Sequence, residues 1–580
     1  MAVTQPLFGA WDYAVLICVL LISSMIGIYY RFTGGKQKTT KEYLLADKNM
    51  PVLPVAFSLM ASFMSAITLL GVSSENYSYG IQFIAINVSY AIFTWVAAYY
   101  YLPVFFQLQA TSAYEYLEKR FGKTTRTAAS LLYTFQMVLY MGIVLYAPAI
   151  ALEALTGINR VSAILSVGLV CMFYSTIGGM KAVLITDVFQ SLLMFAAVIS
   201  IIVCAVIDKG SFSEIWRIAN EGNRTGLWNF DIDPTVRHSW FSLTIGGGVT
   251  FLSLYAVNQT QVQRYMTVKD LKTAQKALWW NWPILTALSL TTSFSGLAIY
   301  SKYHDCDPVK SKVIATSDQL MPLYVVDSMG HIPGVSGLFV AGIFSASLST
   351  VSAALNSLAA VTVEDYYKPL YKRFFNYPLT EKKALIQSKL IAFIYGGVCL
   401  VVAFLAQLLG GVLQAALTIF GTIGGPLLGI FTLGMFTTTA NQKGTLLGLC
   451  SGAAVSLWMA FGQPKPPLPK LPVSIEGCEK HLLSNITMKV IERSTEETQY
   501  FWLYRISYLY QGVFGFLCTV IIGYIASMIF TKNANEEKAV KNPDLFVPPL
   551  SRKLAEMQKN SLKLISTNDS NMKEELTNHL

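Results

Sequence analysis

The charged residues of this chain are bunched, and long apolar stretches fill the gaps between them. Residues 76–114 contain no Asp, Glu, Lys or Arg, and neither do residues 390–442. A helix rises about 1.5 Å per residue and a bilayer's hydrocarbon core is about 30 Å thick, so one crossing takes about 20 residues. The second gap is too long for one crossing and fits two. The same rule predicts thirteen transmembrane helices: 11–30, 51–72, 80–106, 127–156, 161–178, 185–208, 240–260, 277–301, 331–362, 384–408, 412–436, 444–461 and 508–530. Segment 11–30 has no charged leader before it and no small-residue cleavage pattern after it, so it reads as a retained helix. The fold class is an all-α polytopic membrane protein.

Composition strengthens this reading. Of 580 residues, 53% are hydrophobic and 13% charged, where a soluble domain carries about 25% charged residues. A disordered chain, a cytosolic enzyme and a nucleic-acid binder are disfavoured. The net charge of +10 instead reports topology, because Lys and Arg concentrate in inside loops. With residues 1–10 outside, the inside loops hold twenty Lys and Arg, Lys181, Arg264 and Lys443 among them. The outside loops hold about fourteen, mostly in the long loops 209–239, 302–330 and 462–507, which weigh less. The sequon at Asn485 then falls outside, where glycosylation occurs. Cys306 and Cys478 are the only cysteines in outside loops, where a disulfide is permitted. The polar tail, 531–580, falls in the cytoplasm.

The chain lacks a phosphate-cradling G-x-x-x-x-G-K-[ST] loop, and its five His form no H-x-x-x-H pair. No catalytic constellation is present, so the chain is not read as an enzyme and needs no organic cofactor. An ion gradient remains as the energy source. Two polar stretches inside spans fit that role. One runs from Phe57 to Thr68; the other is Ser345-Ala346-Ser347-Leu348-Ser349-Thr350-Val351-Ser352 through Asn356. Ser345, Ser349, Ser352 and Asn356 share one helix face. Hydroxyls, with carbonyls freed by a helix break, suit sodium. The same hydroxyls can also bond back to their own backbone or tie helices together. Span 240–260 carries a break signal of its own at Gly246-Gly247-Gly248, followed by Thr250, Ser253, Tyr255 and Asn258.

Tyr174-Ser-Thr-Ile-Gly178-Gly179 through Gln190 resembles the fifth-helix signature of the sodium:solute symporter family. Gly424-Gly425-Pro426-Leu-Leu-Gly429 through Phe436 resembles its later glycine-rich signature. The chain is most similar to the branch of sodium-coupled monocarboxylate transporters, the multivitamin transporter and the sodium/iodide symporter. Asn258-Gln-Thr-Gln-Val-Gln-Arg264-Tyr265, Val361-Thr-Val-Glu364-Asp365 and Val412-Leu-Gln-Ala-Ala carry that closeness. The resemblance implies an inverted five-plus-five helix core, with repeats over 51–208 and 240–436, flanked by a first helix and two C-terminal helices within 444–530. It implies a sodium site of Ala61, Met64, Ala346, Ser349 and Thr350. Ser352, Asn356 and Asp187 match positions tied to coupling or a second cation. Asp187 also reads, without the resemblance, as a helix-end charge facing water.

Phe63 and Thr68 stand where sugar carriers of the family present polar side chains, so a hexose is disfavoured. Together with Tyr255 and Asn258 they are the candidate substrate-lining residues. The branch's Pro-Ser-Glu-x-Tyr-Arg motif is here Ser73-Ser74-Glu75-Asn76-Tyr77-Ser78, without the Pro or the Arg. The leading expectation is sodium-coupled import of a small organic anion, such as a monocarboxylate, across the plasma membrane by alternating access. The alternatives are a vitamin or iodide carrier, and a non-transporting sensor or ion-leak protein. The partners are sodium, the substrate and the bilayer, with no nucleic acid.

Overall fold

The computed structural model describes residues 8–32, 40–109, 111–408, 411–478 and 500–560; Asn485 lies outside the described residues. Every regular element among them is helical. Ten helices are long and apolar enough to cross a membrane, one further span is a pair bent by 61°, and two shorter apolar helices complete the set. These segments correspond one for one with the thirteen expected from the sequence.

The helices used below are α1 (Ala10–Phe32), α2 (Val52–Phe63), α3 (Ala66–Tyr79), α4 (Lys123–Thr156), α5 (Arg160–Lys209), α6 (Gly247–Tyr255), α7 (Gln259–Tyr265), α8 (Leu271–Tyr303), α9 (Val335–Val361), α10 (Glu381–Leu405), α11 (Val412–Ile419), α12 (Gly425–Phe436), α13 (Gln442–Phe461), α14 (Tyr510–Ile529) and α15 (Ala534–Val540). The burial pattern is inverted relative to a soluble protein. Ile17, Leu21 and Met25 of α1 are exposed, whereas Ser345, Ser347, Ser349 and Ser352 of α9 are fully buried. That suits a molecule whose outer surface faces lipid and whose polar groups must be satisfied inside.

Two breaks position the centre of the molecule. The first separates α2 from α3. Met64 leaves helical geometry at φ −78°, ψ 97°, and the Ser65 hydroxyl restarts the helix by accepting the Ile67 N–H at 3.2 Å. The second separates α6 from α7. There Asn258 is extended, and its side-chain oxygen accepts the Thr260 N–H at 2.9 Å. Each is an N-cap, which supplies an acceptor for a helix donor that has no intrahelical partner.

The second break therefore falls at Ala256–Asn258 and not at the three glycines before it. Those glycines serve close packing. A Cβ on Gly246 would meet the Leu509 carbonyl at 2.6 Å, and one on Gly248 would meet the Phe93 ring at 2.0 Å. Helix α5 also changes direction, at Gly179, where φ is 66°.

Helices α2, α5 and α9 pack on one another, and α7 packs on α2 and α9. Helix α13 lies along α14 outside this centre. Cys306 and Cys478 are joined as a disulfide with their Cα atoms 4.9 Å apart, which marks one face of the molecule. On the opposite face the segment after α14 folds back. Phe546 is fully buried, the Val547 N–H donates to the Met435 carbonyl at 3.1 Å, and the Tyr116 hydroxyl donates to the Leu545 carbonyl at 3.1 Å. The charged tail thus contains a docked apolar triplet.

Candidate functional site

The break after α2 leaves that helix's last carbonyls without intrahelical donors. The side chains of α6, α7 and α9 fill the gap. The Thr350 hydroxyl of α9 lies 3.3 Å from the Ala61 carbonyl and 3.0 Å from the Ala346 carbonyl. The Leu59 carbonyl accepts from the Tyr255 hydroxyl at 3.2 Å, and Gln261 Nε2 lies 3.1 Å from the Ser62 hydroxyl. Oxygens from two helices therefore converge beside the break, at Ala61, Ala346 and Thr350. Oxygen ligands are what a hard cation selects.

Next to that cluster lies a buried charge pair. The Ser349 hydroxyl donates to Asp187 Oδ1 at 2.6 Å, and Ser58 donates to Asp187 Oδ2. Arg264 approaches Oδ2 at 3.3 Å through one guanidinium nitrogen, and its Nε donates to Ser58 at 2.8 Å. Its third nitrogen donates to the Thr260 carbonyl at 2.9 Å. Neither charged side chain has solvent exposure. Asp187 does not face water; it binds α2, α7 and α9 to α5. Ser349 thus links the carboxylate to the oxygen cluster, since Thr350 is its neighbour in sequence.

The other hydroxyls of the α9 face behave differently. Ser352 donates to the Ser349 carbonyl at 3.0 Å and Asn356 donates to the Ser352 carbonyl at 2.9 Å, both within their own helix. Among the described residues, Ser345 Oγ and Asn356 Oδ1 are buried without a partner.

Two small cavities flank the break. One, of about 40 Å³, is lined by Phe63, Met64, Ser65, Thr68, Tyr90 and Tyr140, among others. The second, of about 20 Å³, is lined by Phe63, Asn258, Gln261 and Phe420. The structure brings Phe63, Thr68 and Asn258 to these cavities. Tyr255 lines neither; its ring stacks on Phe251 with centroids 4.3 Å apart, and its hydroxyl braces the broken end of α2.

Sequence reasoning missed Ser58, Gln261 and the depth of Arg264. Charge counting places Arg264 in an inside loop, yet it is as buried as the aspartate it meets. The pairing of a carboxylate and a guanidinium from distant spans has no local signal. A third cavity, of about 1070 Å³, opens on the disulfide face.

Comparison with known proteins accords with this architecture. Residues 43–452 match the model of the sodium:solute symporter family. A Drosophila melanogaster protein named "Putative sodium-dependent multivitamin transporter" is 55% identical over 561 residues, spanning 95% of this chain and 93% of that protein. The human sodium-coupled monocarboxylate transporter 1 is 44% identical over 538 residues, spanning 90% of this chain and 87% of that protein. A solved Na+-coupled sialic acid symporter in a substrate-bound outward-open state shares the fold with a TM-score of 0.74. Its sequence identity is 24%, over 90% of this chain and 99% of that one. Family and relatives are transporters and not enzymes, and the shared architecture is the repeat core expected from the sequence. The chain is a multi-pass membrane protein and belongs to the sodium:solute symporter family, as a sodium-coupled solute symporter.

Proposed function

We propose that this symporter imports a small organic anion across the plasma membrane, with a monocarboxylate as the substrate class. Sodium binds at Ala61, Met64, Ala346, Ser349 and Thr350. The observation that carries this reading is the convergence of the Ala61 and Ala346 carbonyls on the Thr350 hydroxyl beside a broken helix. Asp187 receives sodium on its way out, through the Ser349 hydroxyl that contacts it. The anion lies against Phe63, Thr68 and Asn258, where the start of α3 presents the positive end of its helix dipole.

The disulfide face is extracellular in this reading, with the N-terminus outside and the C-terminus in the cytoplasm. Support comes from the disulfide itself, which forms in oxidising compartments, and from the Lys and Arg bias toward the other face. Sodium entering with net charge gains about 2.3 kcal/mol per 100 mV of membrane potential, enough to concentrate a substrate.

A vitamin such as biotin or pantothenate is the second reading, favoured by the name of the 55% identical relative. Uptake into proteoliposomes under an inward sodium gradient separates the two. Pyruvate, lactate and nicotinate form one arm, biotin and pantothenate the other, with iodide and glucose alongside. Accumulation of the first set supports the monocarboxylate; accumulation of the vitamins alone replaces it. Uptake indifferent to sodium overturns both.

A further inference from the structure

The large cavity on the disulfide face has a chemistry that the central site does not explain. Among the described residues, its lining includes Arg237, Lys465 and Arg505 and no Asp or Glu. A cleft with one sign of charge and low-dielectric walls focuses counter-ions. Three buried polar atoms in the same wall have no partner among the described residues: Gln82 Nε2, His238 Nδ1 and Gln511 Oε1. Their side chains are more than nine-tenths buried. An unpaired buried polar atom is costly, so such atoms call for an occupant.

Arg237 sits at the floor. Its Nε donates to Glu75 Oε1 at 2.6 Å, and a second nitrogen donates to Gln414 Oε1 at 3.2 Å. The guanidinium is held between the Tyr79 and Tyr508 rings, 4.3 and 4.9 Å from their centroids. One arginine therefore clamps α3, through Glu75, to the start of α11, through Gln414. The floor is also thin. Gln82 and Gln414 face the large cavity, while their neighbours Phe83 and Leu413 face the central one. Glu75 belongs to the stretch 73–78, whose motif arginine is absent. In this chain the positive charge beside Glu75 comes instead from Arg237 of the 209–239 loop.

The geometry points to a second, outer anion site in this vestibule, at which the substrate's carboxylate displaces Glu75 from Arg237 and so unlocks the passage to the central cavity. A carboxylate is a chemical replica of the group it displaces, and a guanidinium binds either one in the same fork geometry. Exchange conserves the charge pairing of Arg237 while releasing α3 from α11. The proposal rests on the organic-anion reading above. It adds that Glu75 is the substrate's competitor.

That competition gives opposite signs for the two halves of one ion pair. Sodium-dependent uptake of pyruvate and of biotin is measured in proteoliposomes for wild type, E75Q, R237Q and R237K. R237Q should raise KM about tenfold or more. R237K should recover part of the loss. E75Q should lower KM about threefold, because Arg237 is left free for the substrate. A purely structural pair would move KM in the same direction in both variants, and that result would overturn the outer site. Should E75Q and R237Q fail to fold, the K465Q/R505Q double variant decides: a raised KM supports the site and an unchanged KM overturns it. Wild-type protein that accumulates neither probe would sink the organic-anion reading itself. Wild-type uptake with same-direction shifts sinks only the outer site.

Discussion

Asp187 Oδ2 and the Arg264 guanidinium stand 3.3 Å apart, and neither side chain has any solvent exposure. The pair joins α5 to α7 at the point where Ser58 of α2 and Ser349 of α9 also bind the carboxylate. One carboxylate thus holds four helices, two of which carry the candidate sodium site. Removing one partner of such a pair strands a buried charge, at a cost of about 3–5 kcal/mol, whereas removing both together costs much less. D187N and R264Q should each lower the unfolding temperature of the purified protein, and D187N/R264Q should regain most of the loss. A double variant as unstable as the worse single one would show that the two groups do not act as a pair.

Thr350→Ala removes the hydroxyl that lies against both the Ala61 and Ala346 carbonyls. Loss of one polar contact of about 1 kcal/mol corresponds to about a fivefold change in affinity. The sodium concentration for half-maximal uptake should rise by that factor, with substrate KM at saturating sodium little changed. An unaltered sodium activation curve would remove Thr350 from the site.

Gly71 sets the closeness of α3 and α11. A Cβ placed there would lie 2.6 Å from the Leu413 Cβ, inside any normal contact. Overpacking of this kind typically costs about 1–3 kcal/mol. Gly71→Ala should therefore force α3 and α11 apart and slow uptake, and the Gly71→Ala/Leu413→Gly pair, which removes the Cβ in the way, should recover rate. Uptake kinetics of the three variants, normalised to protein incorporated, check this directly.

Asp318 accepts the Val412 N–H at 3.1 Å, at the N-terminus of α11. Burial pushes its carboxyl pKa up to about 6, from 3.8. A raised acid pKa means the folded protein favours the protonated form. Stability from this group is therefore present at low pH and lost as pH rises through 6. From pH 7.5 to pH 5 wild type should gain about 1 kcal/mol over D318N. His238 runs the other way: burial and the nearby Arg237 hold its pKa well below the usual value. Its contribution is present above about 6.5 and fades as pH falls. It is common to both proteins, so the difference between their melting curves isolates Asp318.

Phe546 is fully buried, and the Arg120 guanidinium lies 5.2 Å from its ring centroid. Phe546→Ala should destabilise the protein by about 3–5 kcal/mol, the usual cost of emptying a buried aromatic position. Faster limited proteolysis between residues 534 and 560 is the expected readout. Equal protease resistance would show that the triplet contributes no anchoring.

The spans were legible in the sequence because twenty apolar residues have few other uses. The hydroxyls from Phe57 to Thr68 marked that span as polar, but the position of its break at Met64–Ser65 was not legible. The break at Asn258 was displaced in expectation toward Gly246–Gly248, because glycine signals both flexibility and close approach; only the neighbours Leu509 and Phe93 decide which. Ser352 and Asn356 share a face with Ser349 yet bond to their own helix. Periodicity fixes the face but not the partner. Arg264, Arg120 and Arg224 are fully buried, although charge counting treats every arginine near a span as a loop charge. Each finds carbonyl or carboxylate acceptors hundreds of residues away or across a turn, which no local pattern announces. The tail's apolar triplet was hidden by the charged residues on both sides of it.

That triplet also orders events during synthesis. The Tyr116 hydroxyl and the Leu545 carbonyl are bonded across 429 positions of chain. The face around Tyr116 and Arg120 is laid down early, and its last covering residues emerge only after every membrane helix has been made. Until residues 545–547 have been made, the face around Tyr116 and Arg120 lacks its cover.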